Sequence, residues 1–203
     1  MVLGKGVFTW RGWIGAAILF PTLVAACLGP PSLREGDPLE LALDLLGWVV
    51  LGCGIFVRLW ATLYLGGRKS ITLVHEGPYA VCRHPLYWAS FLIIVSLAFF
   101  IKSIVLALVI LLIALVYVVS IIPSEEKHAI DCFGASYRDY CQATPRLIPR
   151  LRNLKRPGFV EVKVAAVLRE FARDFGCIML AAGTELLGYC RVQPWWPNLP
   201  HLP

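Results

Sequence analysis

Residues 77–87 read Gly-Pro-Tyr-Ala-Val-Cys-Arg-His-Pro-Leu-Tyr and lie between two long apolar runs. Pro78 and Pro85 each fix their own φ and bias the residue before them, Gly77 or His84, away from helix. The expected product is a stiffened polar turn that leads into an apolar helix, since Pro85 suits a first helical turn. Polar backbone preset at a membrane boundary is costly unless it faces protein or a ligand. The same stretch therefore marks a membrane boundary and a candidate site.

The composition around it agrees. The chain is 58% hydrophobic and only 16% charged over 203 residues, where a soluble domain carries about a quarter charged residues. This points to an all-α, polytopic transmembrane bundle rather than a soluble helical core. The seven cysteines include no CxxC pair, and no His/Cys cluster has zinc spacing. Most sit in apolar runs as small hydrophobes, so neither a disulfide framework nor a metal site is expected. The net charge of +6 fits basic residues marking a cytoplasmic face, with no nucleic-acid partner implied.

Four apolar runs read as spans: about 10–28, 39–65, 86–101 and 104–122. The first follows Lys5 and Arg11 but exceeds a signal-peptide core of about 7–15 residues, so a retained helix is expected. Arg58 and Asp44 fall inside the second. An ionisable group at that depth either snorkels or serves a function. Lys102-Ser103 is so short a break that the third and fourth runs must form an antiparallel hairpin. Pro123-Ser124-Glu125-Glu126 reads as a new helix start, with Ser124 as cap and acids in the first turn. From Val164, apolar residues at 168, 171 and 175 suit an amphipathic helix at the interface. The run 175–190, interrupted by Glu185, reads either as a marginal fifth span or as a re-entrant helix. Trp195-Trp196 suits the headgroup region.

The basic residues set the expected orientation. With a cytoplasmic N-terminus, Lys5, Arg11, Arg68, Lys69, Arg83 and the basic residues from Lys127 to Arg173 share one side, leaving Arg34 and Lys102 opposite. The hairpin then brings the 77–87 turn and the Glu125-Glu126 pair to the same cytoplasmic place. Such a site offers carboxylates for an ammonium or sulfonium, Arg83 and His84 for a carboxylate, and tyrosine faces for a cation or adenine. Taken singly, each motif also suits a duller role as a headgroup anchor, a first-turn acid or an interfacial tyrosine.

Gly77-Pro78-Tyr79 and Arg83-His84-Pro85-Leu86-Tyr87, followed by Glu125-Glu126, Phe133-Gly134, Tyr137, Tyr140 and Pro145-Arg146-Leu147-Ile148-Pro149, closely resemble the isoprenylcysteine carboxyl methyltransferase family. That family groups with phospholipid methyltransferases. The resemblance covers about residues 74–149. It implies a cytoplasmic-side pocket for S-adenosylmethionine and a lipophilic small-molecule or lipidated acceptor entering from the bilayer. The implied cofactor-binding residues are Gly77, Pro78, Tyr79, Arg83, His84, Pro85, Tyr87, Glu125, Glu126 and Tyr137. Arg146, Glu125 and Tyr87 are the implied catalytic set, and which of Glu125 and Glu126 takes the cofactor amino group stays open. The implied organisation is two N-terminal helices in 1–65, a catalytic region in 66–149 and a basic and apolar tail in 150–203. The membrane would be a bacterial inner membrane or the endoplasmic reticulum, and the oligomeric state is open.

Some positions depart from the family pattern. Trp88-Ala89 stands where Gly is frequent, and Ala129 where Leu is; both read as packing changes. Residues 120–124 lack the Arg that precedes the acidic pair in prenylcysteine methylating members, which leaves the acceptor open among prenylated proteins, phospholipids, thiols and small lipophilic acids. Two other classes share the scaffold. An NAD(P)H-dependent sterol-type reductase has a similar Arg-His-Pro turn and a stretch like Gly134 to Cys141, and a non-catalytic membrane module would keep the helices alone.

Overall fold

The computed structural model describes residues 20, 24, 37–65, 72–154, 159–160, 162–191 and 193, and among these every regular element is a helix. Of the expected first span, Phe20 and Val24 are described and helical. The rest of it, the 66–69 break, part of the basic stretch and Trp195-Trp196 lie outside the described residues.

Helix α1 (Pro38–Leu65) begins at Asp37, whose Oδ1 accepts from the Leu39 amide at 3.0 Å. That arrangement caps the helix and puts Pro38 where its missing N–H costs nothing. A single turn, α2 (Pro78–Val81), precedes α3 (Pro85–Ile101). Lys102 then adopts a left-handed conformation, φ 56°. The Ser103 side chain accepts from Leu106 N at 3.3 Å and starts α4 (Ile104–Val116). The expected hairpin is present, closed by an αL C-cap and a serine N-cap.

The helix does not restart at Ser124. Residues Tyr117–Ile121 form one wide π turn, and α5 (Ile122–Phe133) continues from it without a break. Pro123 lacks an N–H and its ring crowds the carbonyl four residues back, and the π turn just before it relieves both problems. Gly134, at φ 58°, turns the chain into α6 (Ala135–Ala143).

The second departure is α7. The expected interfacial helix and the separate apolar run are one continuous helix, Val164–Arg191. Glu170 and Asp174 look like a polar face in sequence, but both are buried. Arg58 Nε of α1 pairs with Glu170 Oε1 and lies 3.9 Å from Asp174 Oδ1. Arg58 thus finds a protein partner rather than snorkelling. Toward the other end Lys102 Nζ lies 2.6 Å from Asp44 Oδ1, with Glu185 of α7 also in this group.

Between these polar layers α1, α3 and α7 pack around Leu51, Ile93, Leu97, Phe100 and Ala181. Gly47 and Gly54 let α1 and α3 approach closely: a Cβ on Gly54 would sit 2.8 Å from Ile93 Cγ1, and one on Gly47 2.7 Å from the Phe100 ring. Outward faces stay apolar. Leu45, Val49 and Phe56 of α1 and Ile104, Leu108 and Leu111 of α4 are all exposed. Among the described residues two helices, Pro38–Leu65 and the joined Ile104–Phe133, are long and apolar enough to cross a bilayer. In the latter the apolar part ends at Ile122, about 28 Å from its start at 1.5 Å per residue, so Glu125 and Glu126 lie beyond the spanning portion.

Candidate active site

The candidate site forms where α2, the start of α3, α5, α6 and the segment 144–150 meet. Gly77 takes φ 56°, open to glycine at little cost, and packs against the Tyr64 ring. The turn behind it is buried throughout, from Gly77 to Cys82. Tyr140 Oη of α6 donates to the Tyr79 carbonyl at 2.6 Å. The 144–150 segment runs alongside as a strap: Arg83 N donates to Pro145 O at 2.9 Å and Arg150 N to Val81 O at 3.0 Å. The Trp88 indole N–H donates to Leu147 O. Trp88 is therefore more than a packing change, since it ties the strap to α3.

Glu126 is the hub of this arrangement. It is 6% exposed. Its Oε1 lies 2.7 Å from Arg83 Nη1 and 3.2 Å from His84 Nε2, and its Oε2 pairs with Arg146 Nη2. Arg83 Nη1 also contacts Cys141 Sγ at 3.1 Å. Burial alone would raise the Glu126 carboxyl. The hydrogen bonds from His84 and Arg146 and the charges of Arg83 and Arg146 outweigh that and hold it at about 2. Two guanidinium groups against one carboxylate leave a net positive surface. In the same wall the Cys82 thiol is pushed up to about 11, mainly by burial, and burial also raises Tyr79, Tyr137 and Tyr140.

Two donors in the wall have no partner among the described residues: Tyr79 Oη and Arg83 Nε are buried and unmatched. Buried donors left unmade are expensive. From the hub an aromatic row leads toward the apolar layer. His84 and Tyr87 have ring centroids 5.7 Å apart, Tyr87 and Tyr117 5.8 Å, and Tyr87 and Phe91 6.4 Å.

The structure thus brings together Gly77, Pro78, Tyr79, Arg83, His84, Pro85, Tyr87, Glu126, Tyr137 and Arg146. Tyr137, itself buried, joins through its ring contact with Tyr140. Glu125 sits next to Glu126 in α5 but is half-buried and outside the ion-pair hub. Sequence reasoning passed over Tyr117, Cys141 and the Trp88 tie. Cys141 enters only as the end of the Gly134 to Cys141 stretch, and Tyr117, with no motif of its own, reaches the site through the π turn, which the apolar pattern does not signal.

Residues 43–136, which hold both the 77–87 turn and the acidic pair, match the phospholipid methyltransferase family. The chain is similar to the nickel-cobalt-cadmium resistance protein NccN of Alcaligenes xylosoxydans xylosoxydans, 32% identical over 80% of this chain and 75% of that protein. It is also similar to the cobalt-zinc-cadmium resistance protein CzcN of Cupriavidus metallidurans, 35% identical over 73% of this chain and 67% of that protein. No solved structure matches. The chain belongs to the phospholipid methyltransferase family, a family of membrane methyltransferases related to the isoprenylcysteine carboxyl methyltransferases.

Proposed function

We propose that the protein is an integral membrane enzyme that transfers the methyl group of S-adenosylmethionine to a lipophilic acceptor reaching the site from the bilayer. The observation that carries this reading is the Glu126 hub, which fixes Arg83, His84 and Arg146 around one buried carboxylate. Beside it, the unmatched donors Tyr79 Oη and Arg83 Nε are costly unless a ligand uses them.

The residues fit the cofactor. The unmatched donors Tyr79 Oη and Arg83 Nε suit acceptor atoms, and the net positive surface suits a carboxylate. Glu126 is already satisfied by cations, so Glu125 is the carboxylate assigned to the cofactor ammonium. Glu126 becomes a positioning residue. The Tyr87 face, beside His84, suits a sulfonium. When bound, the cofactor supplies an electrophilic methyl group. The chain's part is to align the acceptor in line with it and to exclude water. The Trp88-tied strap and Arg146 close the polar end, and the row Tyr87, Phe91 and Tyr117 lines the apolar approach. A carboxylate or thiolate acceptor needs no base; for an amine, His84 is the available proton acceptor.

In this reading region 66–149 carries the chemistry, and α3 and α7 cross the membrane beside α1 and α4. The site faces the cytoplasm, as the basic residues suggest. The relatives' names tie this scaffold to metal resistance in two bacteria and state no methyl acceptor. The test is transfer of label from methyl-labelled S-adenosylmethionine to the organic phase when the reconstituted protein is given a total lipid extract. Label above that of the Glu126→Gln variant is expected. Equal label in both would contradict the proposal.

A further inference from the structure

Away from the hub, α5 carries two metal-ligating side chains on its solvent face. His128 and Cys132 are one helical turn apart and both exposed. Glu126 points inward from nearly the opposite side of the same helix, since two residues are about 200° of turn. His128 Nε2 lies 3.7 Å from Cys132 Sγ. A zinc-like ion takes imidazole nitrogen at about 2.1 Å and thiolate sulfur at about 2.3 Å, so a tetrahedral angle puts the two donors roughly 3.6 Å apart. The two atoms share a thiol–imidazole hydrogen bond whose length is close to the donor separation a shared ion requires, so an ion can replace the proton between them with little side-chain movement.

We infer that His128 and Cys132 form a surface chelate for a borderline-soft divalent cation, of the zinc or cadmium class. One imidazole and one thiolate select against magnesium and calcium, which take oxygen donors. Among the described residues no third His, Cys, Asp or Glu joins them. The remaining coordination positions therefore go to water, and the ion is exchangeable. On binding, the Cys132 thiol loses its proton to solvent, two donor bonds form to the metal and no electron is transferred.

The test titrates cadmium chloride into reduced, detergent-purified protein and follows thiolate-to-metal charge-transfer absorbance. Parent, His128→Ala and Cys132→Ser are compared, with circular dichroism to check that the helices are retained. A saturable phase in the parent, weakened at least about tenfold by either substitution, is expected. Cys132→His should keep zinc binding, measured by calorimetry, without the charge-transfer band. Unsaturable parent binding, or a parent-like isotherm in His128→Ala, would overturn the chelate in favour of thiols acting alone.

Discussion

Arg83 Nη1 lies 2.7 Å from Glu126 Oε1, joining the turn before α3 to α5, the continuation of the hairpin's second arm. The pair spans two segments that only the folded hairpin brings together, and it orients His84 and Arg146 through the same carboxylate. Replacing Glu126 with Gln keeps the shape but strands the guanidinium groups. Breaking a buried ion pair on one side costs about 3–5 kcal/mol, less here because Arg146 can turn to solvent. Glu126→Gln is expected to weaken cofactor-analogue binding at least about tenfold, which is about 1.4 kcal/mol, with helices retained by circular dichroism. His84→Ala should do the same. Parent affinity in both would show that the hub is not the cofactor site.

Glu125 and Glu126 should also differ in kind. Glu125→Gln is expected to lose cofactor affinity with little change in thermal midpoint, because no hub contact depends on it. Glu126→Gln should lower both. The check is a melting curve beside each binding isotherm, and equal melting losses in the two variants would reverse the assignment.

The acid limb of stability follows from the same carboxylate. Its folded value, about 2, lies below its ordinary 4.5, so its contribution is full above about pH 4.5 and is lost as pH falls toward 2. Melting midpoints measured in detergent across this window should fall more steeply for the parent than for Glu126→Gln. Parallel curves would mean that Glu126 is not held ionised by its partners.

Between α1 and α7, Arg58 and Glu170 form the ion pair that the sequence leaves unassigned. Arg58→Met strands Glu170 and Asp174 and is expected to destabilise the bundle by about 3 kcal/mol, part of which Glu170→Leu in the same chain restores. Unfolding in mixed micelles of the two single variants and the double variant checks this. Strict additivity would place the pair outside the folding core.

Gly54→Val tests the α1–α3 contact, because its Cβ would sit 2.8 Å from Ile93 Cγ1 and 3.1 Å from Ile93 N. Overpacking of this kind costs about 1–3 kcal/mol. Gly52→Ala, at an exposed helical position with open space, is the control and should hold or slightly raise the midpoint, since alanine favours helix over glycine by up to about 1 kcal/mol. Equal midpoints for Gly54→Val and the parent would contradict the packing.

Much of this is legible in the amino-acid sequence alone. Pro78, Pro85 and Gly77 announced the buried turn, and Lys102-Ser103 announced the hairpin, because local backbone chemistry decides both. Ser124 misled for a local reason too: Pro123 usually opens a helix, but here a π turn carries the chain through it. The continuity of α7 was hidden because Glu170 and Asp174 look solvent-facing until Arg58, 112 residues from Glu170, is placed beside them. The 77–87 turn and Glu126 were named from sequence as one site. Their three-donor geometry around Glu126, the Trp88 tie and the reach of Tyr117 depend on tertiary contacts that no spacing encodes.

The decisive experiment is calorimetric titration of S-adenosylhomocysteine into the purified protein in detergent, with NADPH titrated in parallel. Saturable binding of S-adenosylhomocysteine, lost in Glu126→Gln, with no heat from NADPH is the predicted result. Saturable NADPH binding with none of the homocysteine analogue would contradict it and assign the hub to a reductase.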